Sequence, residues 1–100
     1  MIELIANFVA GALLCNCIPH LTAGLRGELF PSPFARPPGV GNSHPVLNVF
    51  WGLINAVVAI LLLDYAPVTV GINPSFVSAV FGALLGGSFV AYYFNRVRNR

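Results

Sequence analysis

Charge is what this sequence has least of. Only 8% of its 100 residues are charged, against about 25% in an ordinary soluble domain. Lysine is absent, and five arginines face Glu3, Glu28 and Asp64. With no polybasic run, a nucleic-acid surface has nothing to build on. Cysteine is nearly absent too. Cys15 and Cys17 cannot supply the several bridges of a small secreted scaffold. Two residues apart in a helix, they point in different directions and are poorly placed to bridge each other. A basic n-region is missing at the start, where Glu3 stands instead, so the first apolar stretch is expected to remain as a helix rather than leave as an export signal. No internal repeat, glycine-rich phosphate cradle, paired-acid site or nucleophile–base pair is visible, and no catalytic residue can be named.

Present instead are long apolar runs, since 57% of the residues are hydrophobic. Three runs are long enough to cross or nearly cross hydrocarbon: 2–18, 46–65 and 76–94. Pro19 is expected to end the first, because proline lacks the amide donor a helix needs. Pro45 suits the entrance of the second, and Pro67 lies beyond its exit. Asn73 or Ser75 can cap the third, with Pro74 in its first turn.

The five arginines decide orientation. Arg26 and Arg36 follow the first run, and Arg96, Arg98 and Arg100 follow the third. With three spans both groups face one compartment, as the arginine and lysine bias toward cytoplasmic segments requires. The expected fold is all-α: a three-helix integral membrane protein, one membrane domain over 1–100. Its N-terminus lies outside, its C-terminus is cytoplasmic, and a long Pro/Gly-rich cytoplasmic loop joins the first two spans. A prokaryotic cytoplasmic membrane is the expected location. Trp51, Tyr92, Tyr93, Arg96, Arg98 and Arg100 are expected anchors in the headgroup region.

Small and weakly polar residues recur on single helix faces. Asn7 and Gly11 share one face of the first helix, and Asn48, Gly52, Asn55 and Ala59 share one face of the second. On the third, Ala79, Ala83 and Gly87 recur every four positions beside Gly82 and Gly86. Such stripes let membrane helices approach closely, within the chain or between copies. Asparagine facing hydrocarbon is costly, so Asn48 and Asn55 should face protein or a hydrated path.

The connection 19–45 is unusually long and holds six prolines and four glycines. It either lies in the interface or re-enters the bundle mouth, where irregular backbone is tolerated if protein or water satisfies it. Arg26 there would favour an anionic group, and Glu28 could pair with Arg26 and cancel that preference. Cys15, Cys17, His20 and His44 form the one metal-ligating constellation: zinc or copper is conceivable, as is haem on either histidine, although Cys-x-Cys is not a paired-cysteine zinc signature.

Three functions are therefore weighed. The leading expectation is a helix-packing subunit or self-assembling scaffold, in contact with membrane lipid and a homo-oligomer or larger membrane complex. The second is an oligomeric channel or transporter with Asn48 and Asn55 on its path. The third is a metal-binding or redox component built on the cysteines and histidines.

Overall fold

The computed structural model describes residues 1–99, so Arg100 lies outside the described residues. Three helices are each long and apolar enough to span a membrane: α1 (Ile2–Leu25), α2 (Pro45–Tyr65) and α3 (Pro74–Arg98). A two-stranded antiparallel ribbon, β1 (Phe30–Pro31) and β2 (Asn42–Ser43), closes the loop between α1 and α2, with Phe30 opposite Ser43. The molecule is 39 Å long, more than the ~30 Å hydrocarbon layer.

The first helix runs farther than its proline suggests. Pro19 lies inside α1 instead of ending it, a correction to the 2–18 span. The helix ends where Gly27 takes a left-handed φ of 72°. The Gly27 amide donates to Gly24 and the Glu28 amide to Ala23, a closure that satisfies the last carbonyls. Packing explains why the chain continues past Pro19. Gly24 meets the α2 backbone at Pro45 and Val49 so closely that an added Cβ would lie 2.6 Å from the Pro45 carbonyl oxygen. A proline costs a helix interior about 3 kcal/mol in water, but membrane helices offset it through neighbours and hydroxyls. The Thr22 hydroxyl, in the turn after Pro19, bonds the Ile18 carbonyl at 2.8 Å and not the Cys15 carbonyl that the proline leaves without its amide partner, so the offset here comes from neighbouring helices. The α1–α2 connection is consequently 26–44 rather than 19–45.

The other helix ends follow their caps. His44 Nδ1 accepts from the Val46 amide, and Asn73 Oδ1 accepts from the Phe76 amide at 3.0 Å. The third helix also runs beyond the 76–94 expectation, to Arg98.

α1 is the shared element. α2 packs antiparallel along it and α3 parallel, while α2 and α3 barely touch. The contact surfaces are made of small residues: Ala6, Ala10, Gly11, Gly52, Ala59 and Gly82 are all buried. Gly82 lies against the Phe8 backbone, Gly11 against Ala79 and Ala83, and Gly86 against Ala12. Large side chains such as Ile5, Leu53, Ile60 and Leu84 point outward. A water-soluble domain would bury these; a lipid-solvated bundle joins backbones through small residues instead. Polar side chains tie the helices along their length: Asn7 Nδ2 donates to the Ala66 carbonyl at 2.7 Å and Ser78 Oγ to the Leu4 carbonyl at 2.6 Å.

Candidate functional site

The loop 26–44 folds against one end of the bundle rather than away from it. Phe30, Pro31, Ser32 and Ala35 are buried there. Ser32 Oγ and Ser43 Oγ share a 2.6 Å hydrogen bond across the ribbon, and the Gly39 amide donates to the Ser32 carbonyl at 2.8 Å. The end of α3 clasps this loop. Tyr93 OH donates to the Gly39 carbonyl at 2.6 Å, Phe94 packs 4.7 Å from Phe30 between ring centres, and the Arg98 guanidinium lies 4.8 Å from the Phe30 ring centre.

Beneath the loop is a partly open cleft of about 250 Å³. α1 forms its floor with Asn16 and His20. Trp51 of α2 forms one wall, and Phe89, Val90, Tyr93 and Phe94 of α3 the other. Pro31, Ser32, Pro33 and Gly39 of the loop complete the lining. The cleft is partly open, and the two helices that wall it, α2 and α3, barely touch.

His20 is 2% exposed and is held edge-on by Phe30, Trp51 and Phe94. Its protonation pattern follows from its partner. Asn48 Nδ2 faces two acceptor-only groups, the Phe30 carbonyl at 2.9 Å and the Ser43 carbonyl at 3.5 Å. Those carbonyls fix the amide orientation and leave Oδ1 toward His20 Nδ1 at 2.8 Å. An amide oxygen only accepts, so His20 Nδ1 carries the proton and, in the neutral ring, Nε2 presents a bare lone pair. Nε2 has no partner among the described residues. No fully enclosed side-chain nitrogen or oxygen there lacks one, so Nε2 keeps an accessible face, and the cleft is the space that His20 lines.

The same reasoning applies one helical turn earlier. Asn55 Nδ2 donates to the Trp51 carbonyl at 2.8 Å, which leaves Asn55 Oδ1 to accept from Asn16 Nδ2 at 3.1 Å. Asn16 Oδ1 is then free of partners among the described residues, on a side chain that lines the cleft. Two residues that line the aromatic hollow, about 6 Å apart along the axis of α1, thus each keep an acceptor unpartnered among the described residues.

Comparison with known proteins returns no match for this chain among protein families, curated proteins or solved structures. The chemistry must therefore be read from the site.

Several residues singled out by sequence lie elsewhere. Asn48 and Asn55 are buried with their amides committed inside the fold, so they support the site and do not line the cleft. Arg26 pairs with Glu28 at 2.9 Å on the exposed surface, outside the cleft. The metal constellation is not assembled: no group of three or more His, Cys, Asp or Glu among the described residues is gathered for an ion. The helix turns the two thiols apart. Cys15 lies beside Gly87 of α3, Cys17 is buried with Sγ on the Leu14 carbonyl, and exposed His44 spends Nδ1 capping α2. A cleft of this size also falls below the roughly 300–1,000 Å³ of sites for drug-sized ligands, so it does not accommodate a haem macrocycle. Of the expected anchors, Tyr92 and Arg96 lie together on the exposed face, whereas Trp51 and Tyr93 are cleft walls.

Asn16, Ser32, Phe89, Val90 and Phe94 were not singled out in the sequence. One signal was present: Asn16 and His20 are four apart, hence on one helix face, and both are costly toward lipid.

Proposed function

We propose that this is a membrane-embedded binding protein whose site is the cleft floored by Asn16 and His20. The observation that carries the reading is a nearly enclosed imidazole, held in one tautomer with Nε2 unpartnered among the described residues, that lines an aromatic-walled hollow. A buried imidazole N–H needs an acceptor in any role, so the weight falls on the unpartnered Nε2 and the space beside the ring. The volume suits a single substituted ring, since a cavity of about 150 Å³ already accommodates benzene. The arginines support a prokaryotic cytoplasmic membrane with the loop and C-terminus inside, which puts the cleft at the cytoplasmic end of the bundle.

The small-residue stripes no longer argue for a partner on their own, because Gly11, Gly52, Gly82 and Gly86 meet neighbours within the chain. The reading as a packing subunit of a homo-oligomer or larger complex keeps one feature, an apolar groove of about 240 Å³ between α1 and α3 at Leu14, Ile18 and Val80. The channel reading loses its asparagines to internal bonds.

Trp51 is the sole tryptophan and lines the cleft, so its emission reports occupancy. In lipid nanodiscs, bromobenzene should quench Trp51 saturably, and Val90→Phe, which fills the cleft, should weaken that quenching several-fold. Linear, unsaturable quenching that is indifferent to Val90→Phe would mean only partitioning into lipid, and would defeat the reading.

A further inference from the structure

The geometry points to a neutral hydroxylated aromatic ring, of the phenol or hydroquinone class and carrying an apolar tail, as the ligand of this cleft. The inference rests on the cleft being a binding site and names what would fill it. The wall residue Trp51 has an indole N–H with no partner among the described residues, but both unpartnered polar atoms of the floor, His20 Nε2 and Asn16 Oδ1, are acceptors, so the ligand must bring donors to them. A ketone or quinone offers only acceptors and would leave both atoms unpaired, a costly outcome in a largely apolar site. Ring-shaped occupancy follows from the walls: Trp51, Phe89 and Phe94 present aromatic surfaces, against which a second ring stacks offset or edge-on.

An organic cation would also bring donors to an aromatic hollow, and aromatic faces attract cations. Charge decides against it. Arg26, Arg36, Arg96 and Arg98 all belong to the loop or the helix end that covers this side of the bundle. Against them stands Glu28, already paired with Arg26, and no carboxylate lines the cleft. A neutral donor avoids that repulsion. The tail follows from the opening, since the cleft is partly open and its walls, α2 and α3, barely touch, so a substituent can leave between them toward lipid.

One probe series tests this in nanodiscs at neutral pH, again through Trp51 quenching. p-Bromophenol, p-bromoanisole and p-bromophenyltrimethylammonium share the heavy-atom ring and differ in the group offered to His20. The expected result is that the phenol saturates at a concentration about three- to tenfold lower than the anisole, the factor one net hydrogen bond supplies. The preference should vanish in His20→Phe. Should that variant fold poorly, the wild-type protein carries the test alone: p-bromophenol, and not p-bromoanisole, should shift the ¹⁵N resonance of His20 Nε2. Equal, saturable quenching by phenol and anisole with no change at Nε2 would overturn the donor assignment and leave the binding site intact. Tighter quenching by the ammonium would overturn the neutral assignment. Absence of saturable quenching by any of the three would remove the site and the inference together.

Discussion

Asn48 has one amide and three neighbours to satisfy with it. Its nitrogen serves the Phe30 and Ser43 carbonyls of the ribbon, and its oxygen holds the His20 ring. One side chain thereby couples the loop, α1 and α2 at zero exposure. Replacing it with leucine leaves an imidazole N–H without a partner and removes one donor from each of two ribbon carbonyls, and an unpaired buried group costs roughly 1–3 kcal/mol where water is excluded. Partial relaxation of the loop lowers that total, and Asn48→Leu should cost about 2–4 kcal/mol. Denaturation in mixed micelles followed by helicity would measure it; a loss below about 0.5 kcal/mol, the range of an ordinary surface substitution, would show that the network does not stabilise the fold. The asparagine stripe was legible as a polar face because four-residue spacing is a helix property. Its partner was not, because the Phe30 and Ser43 carbonyls come from irregular backbone whose path no periodicity describes.

At the scale of helices, adhesion comes from backbones meeting where side chains are missing. A Cβ built on Gly82 runs into the Phe8 carbonyl, and neither main chain can yield without moving a whole helix. Leu85, on the same helix, is 55% exposed and faces outward. Gly82→Ala should therefore destabilise by about 1–3 kcal/mol through overpacking. Leu85→Ala, which exchanges one lipid-solvated side chain for another, should stay within about 0.5 kcal/mol. Steric-trap or denaturant titration in bicelles would separate the two, and a larger loss at Leu85 than at Gly82 would put α3 against α1 through the wrong face. The same logic explains what was readable in the elements. Length and apolarity disclosed three helices, because the hydrocarbon layer sets a minimum run. The end of α1 was misread, because Pro19 is a stop only where nothing compensates it. Gly27 was the true stop, its left-handed φ being a conformation that glycine reaches at little cost.

Across the whole molecule, the loop after α1 and the end of α3 form one cap. Tyr93 bonds to Gly39, and Arg98 lies over Phe30, so the arginine-bearing segments share an end of the bundle. The arginine pattern carried this in the sequence, since charge cannot cross hydrocarbon cheaply and an odd number of spans forces its placement. The cleft was not legible, because its lining comes from three helices and a loop that meet only on folding. Membrane orientation tests the arrangement directly. In a background carrying Cys15→Ala and Cys17→Ser, single cysteines at Phe34, Asn99 and Val70 give three exposed reporters, the last in the α2–α3 turn. An impermeant maleimide applied to sealed vesicles should reach Phe34→Cys and Asn99→Cys from one side and Val70→Cys from the other. If vesicle inversion exchanges all three together, Val70 shares a side with the cap and the bundle does not span. If it separates Phe34→Cys from Asn99→Cys, the cap does not form in the membrane, and the roof of the cleft is lost with it.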